Sequence, residues 1–387
     1  MKILVTIYSD LEAFPPSLNA VLSMAERGAE LIVVQRSIGR GCWTFPGNVS
    51  VRTVVKRSGE AELSKLPTIQ KFADFARFLL GIIMALRRDR PDLLIAYDPI
   101  PLLACRIALK LASRRPVFWY HNHDTEARVA SRRGSVGWLA GVTEKRTFRD
   151  LDIFSLPARE RQQYFPLQTL REAPLVIPNY PSLCHYPPPN SSDHGACIKL
   201  IYQGSLGRHH GFQKILEWLD RSIDGHQLSL TLLGKIDPEF RAELLEKAAI
   251  FGVEDRLEIS DFIPLTMLPA RLAGFTIGLA LHIPVGVTYS TGGTASNKIY
   301  EYAACGLPVL LYDTPHYREH LGWRSWVGFC RLDWESFSSA VSCILSKRGA
   351  AKVAARYDFE TELNYEHVFA ETWQTILPRI SRNSRAV

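Results

Sequence analysis

The residues best placed to do chemistry lie between Ser296 and Pro308, in the stretch SNKIYEYAACGLP. A short run, Gly292-Gly293-Thr294-Ala295, leads into it. The pattern predicts a helix that starts at Ser296, stops at Gly306 and feeds a buried strand over Val309 to Tyr312. A glycine-bearing turn before a helix leaves backbone N–H groups unpaired and exposes the positive end of the helix dipole. Phosphate and diphosphate groups bind at such ends. Lys298 falls in the first turn, where a cation opposes the dipole and an anion bound beside it would offset the cost. Glu301 follows three residues later and shares its face. An anion cradle, a lysine and a deeper carboxylate suit a nucleoside diphosphate, with the phosphates at the helix tip and the ribose hydroxyls on the carboxylate. The same spacing also fits a helix used for packing alone, with Ile299, Tyr302 and Ala303 on a sheet and Lys298 and Glu301 as a weak surface pair.

A second group of polar residues ends strands in the first half. Tyr97-Asp98-Pro99 follows the apolar run Leu93 to Ala96, and His121-Asn122-His123-Asp124 follows Val117 to Tyr120. Ligands of open parallel sheets gather at such strand ends. Hydroxyl recognition or proton handling by His121 and His123 fits this place. A metal would need a third ligand from elsewhere, and Asp124 also suits the cap of a following helix. Asp150-Leu151-Asp152 has the form of an acidic metal motif, but its second aspartate opens an apolar strand, so a structural part is expected.

The elements that must position these residues alternate. Lys2 to Ile7 reads as a strand, Pro15 to Arg27 as a helix stopped by Gly28, and Leu31 to Val34 as a strand. This βαβ opening predicts a parallel sheet with helices on both faces. Gly39 to Lys65 reads as irregular and Phe72 to Arg88 as a helix, which suits a core more than a membrane surface. Residues 178–197, rich in proline and ending in Asn190-Ser191-Ser192, read as a linker. After it the alternation restarts at Lys199 to Tyr202, continues to the strand Thr276 to Leu281, and gives way after Val309 to Tyr312 to helices. The expected fold class is α/β, with two doubly wound Rossmann-like domains facing each other across a cleft. The expected boundaries are 1–180, a linker at 181–197, 198–360, and a C-terminal helix over 361–387 that crosses back to the first domain.

Composition narrows the function. The chain has 387 residues, 47% hydrophobic and 22% charged, in the soluble globular range. Seven scattered cysteines without zinc spacing, and a start that goes straight into a strand, favour a reducing cytoplasm. There is neither a GxGxxG after the first strand nor a GxxxxGK[ST] anywhere, which disfavours dinucleotide and P-loop chemistry. Residues 51–171 hold 22 Lys and Arg against 12 Asp and Glu, although the whole chain carries only +7. A basic half suggests a phosphorylated acceptor or an anionic membrane face. Nucleic acid is not expected, because no aromatic residues interleave a basic strip.

With these residues in view, the chain resembles the retaining glycosyltransferases of the GT-B fold, most closely glycosyltransferase family 4. SNKIYEYAACGLPVL is similar to that family's donor-site motif. KLIYQGSLG from Lys199, LTLLG from Leu230, ISDFIPLTML from Ile259 and VIPN from Val176 resemble further landmarks in the same order. The resemblance implies that Glu301 takes the ribose and that Lys298, with the backbone of Gly293, Thr294, Ala295, Ser296 and Asn297, meets the diphosphate. It places Gly204 and Arg208 near the phosphates and Phe262 and Ile263 near the base. His123 is implied to meet the donor sugar, with His121, Asp124 and Asp98 as further candidates. The family's first acid falls at Gly293, so its acidic pair is incomplete here, and its first-domain Gly-Gly loop is replaced by Asp10 to Pro16. The implied activity moves a sugar from a nucleoside diphosphate sugar to a hydroxyl of a glycan or lipid-diphosphate-linked acceptor, with retention, in bacterial cell-surface polysaccharide (for example lipopolysaccharide) biosynthesis. No metal or other cofactor is expected, and the implied location is cytoplasmic, at the inner face of the membrane. The alternatives are a nucleotide-sugar epimerase or hydrolase on the same fold, or a catalytically inactive partner subunit.

Overall fold

A computed structural model describes residues 1–39, 43–57, 66–125, 133–188 and 197–385, with only the backbone for 288–289 and 382–385. It divides into two compact units, one of Met1–Asn179 with Tyr365–Val387, the other of Tyr180–Asn364. Part of the expected irregular stretch (58–65) and part of the expected linker (189–196) lie outside the described residues.

The first unit is built on a parallel sheet of β1 (Lys2–Ile7), β2 (Glu30–Ser37), β3 (Val49–Lys56), β4 (Leu93–Tyr97), β5 (Val117–His121), β6 (Ile153–Leu156) and β7 (Leu175–Val176). Their order is β3-β2-β1-β4-β5-β6-β7, so the direction of winding reverses between β1 and β4. That reversal is where open α/β sheets take ligands. The strands are near-continuous apolar runs because both faces are covered by helices; every residue of β4 and β5 is buried. The C-terminal helix Tyr365–Arg385 belongs to this unit. Its Tyr365, Phe369 and Trp373, spaced four apart on one face, stack with centroids 5.2 and 5.7 Å apart. Arg27 lies over the Phe369 ring and Arg379 pairs with Glu172.

The second unit repeats the plan with β8 (Cys197–Leu206), β9 (Ser222–Ile223), β10 (His226–Ile236), β11 (Leu257–Ser260), β12 (Ile277–Ala280), β13 (Val309–Tyr312) and β14 (Val327–Cys330). The parallel order is β11-β10-β8-β12-β13-β14, with β9 antiparallel on β10. Alternation along β8 sends Ile198, Leu200 and Tyr202 into one core layer and Ile201 into the other. The helix Asn297–Ala304 covers the second layer with Ile299, Tyr302 and Ala303.

Tyr302 reaches so far into the sheet that its hydroxyl lies 3.3 Å from the Ile201 carbonyl and 3.0 Å from the Gln203 amide. The ring fits because position 278 carries no side chain: a Cβ there would stand 2.4 Å from it. Gly278→Ala is therefore expected to overpack this layer by about 1–3 kcal/mol, read as a lowered thermal midpoint.

Two strands depart from the expectation. The stretch read as irregular contains β3, where Val49, Val51, Thr53 and Val55 alternate with Ser50, Arg52 and Val54 and pair in parallel with β2. β14 lies where only helices were expected; it is four residues long, contains a glycine and is mostly half-buried, so periodicity carries almost no signal.

Candidate functional site

In the second unit the loop after β12 ends in a short turn, Gly293–Ala295, and passes through Ser296 into the Asn297–Ala304 helix. Ser296 stands at the cap position, yet its side chain makes no capping bond. Its Oγ and the Asn297 Oδ1 are buried without a hydrogen-bond partner. The start of this helix thus holds polar groups turned away from water and not satisfied by the protein, a condition that calls for a ligand.

Lys298 leaves the first turn and runs along the end of β8. A Cβ on Gly204 would lie 3.6 Å from the lysine Cε, so the glycine makes ordinary contact distance for the side chain. Gly204 pairs in register with Gly234 of β10, and both hold positive φ, 115° and 140°. The Lys298 Nζ lies 3.4 Å from His282 Nε2 and 5.1 Å from the centre of the Tyr202 ring. The Tyr202 hydroxyl lies 3.2 Å from His282 Nε2, and its ring stacks on His210 at 4.9 Å. Glu301, one turn deeper and buried, accepts a hydrogen bond from Gln203 Nε2 at 2.5 Å.

Burial sets the protonation of this group. It pushes His210 down to about 3 and His282 well below the ordinary histidine value, with Lys298 adding to both. Both imidazoles are therefore neutral at physiological pH. Burial lowers Lys298 to about 8, with only Glu301 pulling the other way. Burial likewise raises Glu301 to about 7, offset in part by Lys298, Tyr186 and Gln203. The ammonium group thus faces neutral rings and a carboxyl group that is itself half-discharged near neutrality.

The signs predict a pH signature in the unliganded protein. Glu301 is raised, so its contribution to stability is fully present below the ordinary value of 4.5 and lost as pH climbs through 7. Lys298 is depressed, so its contribution is present above 10.5 and lost as pH falls through 8. Melting curves across this range should show the gap between Glu301→Gln and wild type widening with rising pH, and that between Lys298→Met and wild type widening with falling pH. Parallel curves would remove both assignments.

The remaining candidates are distributed differently. The Gly293 amide donates to His316 Nε2 at 3.0 Å, and a Cβ on Gly293 would stand 2.8 Å from that atom. An acidic side chain at 293 therefore has no room while His316 stays in place. The Tyr300 hydroxyl reaches the Gly293 carbonyl, and Thr294 and Ala295 complete the turn. Arg208 does not join Lys298; it forks onto Glu243 and covers the Phe240 ring. Phe262 is 58% exposed, with Ile263 packed against the core beside it. Sequence reading missed Tyr202, Gln203, His210, His282 and His316. His282 follows the end of β12, and the rule that singled out Asp98 and His121 applies to it equally.

The first unit brings its own candidates together. His123, buried after β5, has Nδ1 3.0 Å from Asp98 Oδ2, and its backbone N–H donates to Asp98 Oδ1 at 2.9 Å. Its Nε2 lies 2.8 Å from Ser17 Oγ. An acceptor carboxylate at Nδ1 places the proton there and leaves Nε2 to accept from Ser17. Asp98 holds φ 70° and ψ 169°, a left-handed conformation unusual for any residue but glycine. His121 bonds Ser155 Oγ through Nδ1 at 2.8 Å, its Nε2 is buried without a partner, and burial drives it well below the ordinary histidine value. Asp98 and Asp124 border a cavity of about 380 Å³ that also touches Tyr8, Phe14 and Arg36. It opens at the reversal between β1 and β4.

This architecture defines a class. The chain has the fold of the GT-B glycosyltransferases, two Rossmann-like units each on a parallel sheet. Among solved structures it is similar to sucrose-phosphate synthase from Thermosynechococcus elongatus, with TM-score 0.72 at 13% identity over 99% of this chain and 100% of that one. It is also similar to HepE of Anabaena in complex with UDP and glucose, with TM-score 0.66 at 14% identity over 98% and 100%. WaaG, a glycosyltransferase involved in lipopolysaccharide biosynthesis, superposes with TM-score 0.62 at 13% identity over 95% and 98%. No family model matches the chain, and no curated protein matches it in sequence.

Proposed function

We propose that this protein is a glycosyltransferase that moves a sugar from a nucleoside diphosphate sugar to a hydroxyl of a glycan or lipid-linked acceptor. The observation that carries the reading is the uncapped start of the Asn297–Ala304 helix, with two orphaned polar atoms and a lysine facing no settled negative charge. A diphosphate supplies what those groups lack. In the reaction the bond from the anomeric carbon to the diphosphate oxygen breaks and the leaving group keeps the electron pair. The acceptor oxygen forms the new bond and passes its proton to the departing diphosphate. Lys298 and the helix dipole stabilise the charge that grows on the leaving group, so a divalent metal is not required. Glu301, held by Gln203, takes the ribose hydroxyls. His123 is the candidate contact for the transferred sugar, with its tautomer set by Asp98. Retention of configuration and a part in cell-surface polysaccharide assembly belong to the same proposal. The support comes from neighbours of the same fold, one solved with UDP and glucose and one involved in lipopolysaccharide biosynthesis.

Thermal-shift and calorimetric titration with UDP, GDP, dTDP and ADP tests the reading. At least one should bind and be lost in Lys298→Met; binding of none overturns it. A second reading, a transferase-like partner that binds nucleotide without turnover, is favoured by the missing acid at Gly293. Tight nucleotide binding with neither transfer nor donor hydrolysis would select it.

A further inference from the structure

The cavity of about 380 Å³ at the reversal between β1 and β4 holds a cation with no carboxylate partner among the described residues. Along β2, Ile32 and Val34 turn into the core layer beside Phe78, and the next residue on that face is Arg36. The register between β2 and β3 slips at this point: Gln35 pairs with Thr53 but Arg36 with Val55, which leaves Val54 as an extra residue. Bulges of this kind re-aim side chains next to sites. The Arg36 guanidinium lies over the Tyr8 ring, 4.0 Å from its centre, and Tyr8 sits edge-on to Phe78 at 5.0 Å. The Arg36 Nε is buried without a hydrogen-bond partner. Asp74, which attracts Arg36 from nearby, is already forked by Arg57. Burial draws the Arg36 pKa below its ordinary value, with Tyr8 and Asp74 pulling it back. A guanidinium drawn out of water without an anion is costly, and a ligand that brings the anion removes the cost.

We propose that this cavity receives a glycan acceptor bearing a carboxylate, a sugar acid whose carboxylate meets Arg36 and whose hydroxyls reach Asp98 and Asp124. The inference rests on the glycosyltransferase reading and names the class of its acceptor. A guanidinium fork matches a carboxylate with two parallel hydrogen bonds. Charge decides between a carboxylate and a phosphate. Among the described lining residues stand one cation, Arg36, and two aspartates, Asp98 and Asp124. One negative charge balances Arg36. A phosphate monoester carries about −1.5 to −2 at neutral pH, and its second charge would face the aspartates without a partner. The aspartates suit sugar hydroxyls, which donate to carboxylate oxygens, and Phe14 and Ile100 give the apolar wall on which a ring face packs. A volume of about 380 Å³ is at the small end of ligand pockets and takes about one sugar residue.

The test is a saturation-transfer NMR titration of the full chain, without nucleotide, with methyl glucuronide, methyl glucoside and glucose 6-phosphate. The glucuronide should bind about 10-fold or more tighter than either of the others. Arg36→Met should reduce the glucuronide to the level of the glucoside. Its thermal midpoint should hold or rise, because the change removes a poorly solvated charge. Arg87→Gln, in a different cavity, should change nothing. Both variants should keep the wild-type affinity for nucleoside diphosphates. Absence of nucleotide binding in the wild type would therefore fall on the donor-site reading, and absence of the glucuronide preference on this one. No glucuronide binding, equal binding of glucuronide and glucoside, or a preference that survives Arg36→Met overturns the proposal. A preference lost together with a lowered midpoint makes Arg36 a structural residue and likewise overturns it. Tighter binding of glucose 6-phosphate overturns it too and gives the cavity to a phosphorylated ligand.

Discussion

Replacing Lys298 by methionine is expected to raise the melting temperature of the unliganded protein and at the same time abolish measurable nucleoside diphosphate binding. The two effects share a cause. Burial holds the ammonium at about 8, far below an ordinary lysine, so below that pH the folded state carries a charge it solvates poorly. An isosteric apolar chain beside Gly204 and the Tyr202 ring removes that cost, worth about 1–3 kcal/mol or several degrees. The same change removes the cation proposed to meet the phosphates, and affinity should fall about 100-fold or more. In the wild type, binding should restore the proton to Lys298. Calorimetry in buffers of differing ionisation enthalpy should then register proton uptake near pH 8, and affinity should decline above it. A destabilised variant that still binds would dismantle this account.

The second large effect concerns Glu301. The carboxylate is buried and gripped by Gln203 at 2.5 Å. Its proposed partners are ribose hydroxyls, and hydrogen bonds to a charged acceptor contribute roughly 1.5–3 kcal/mol. Glu301→Gln keeps the shape and loses the charge, so affinity for a ribonucleoside diphosphate should drop about 10- to 100-fold. Binding of inorganic pyrophosphate should be untouched. If pyrophosphate and nucleotide weaken together, Glu301 supports the anion cradle rather than the ribose.

Much of this site could be read in the chain before folding was considered. Glycine, lysine and glutamate at fixed offsets before an apolar strand are local features, and the helix forms where those offsets place it. The strands β1, β2, β4 and β5 and the helix Pro15–Glu26 are likewise visible, because each strand is a short apolar run and the helix carries its own apolar face and its glycine stop. What escaped depends on pairing between distant segments. His282 and His210 meet Tyr202 only because β12 lies beside β8, and nothing near those histidines announces that neighbour. Arg208 shows the same limit: the resemblance places it near the phosphates, and nothing near it announces the glutamate 35 residues away that engages it. Ser17 joins His123 across 106 residues for the same kind of reason.

The helix that carries Tyr365, Phe369 and Trp373 leaves the ribosome only after the whole of Tyr180–Asn364, yet it belongs with Met1–Asn179. The intervening stretch, Tyr180–Asn364, is whole as soon as it has been synthesised, whereas the unit of Met1–Asn179 still lacks the helix whose Phe369 meets Arg27 and whose Arg379 meets Glu172. Nascent chains arrested before Tyr365 should therefore yield a protease-resistant fragment from the middle of the sequence ahead of one from its beginning.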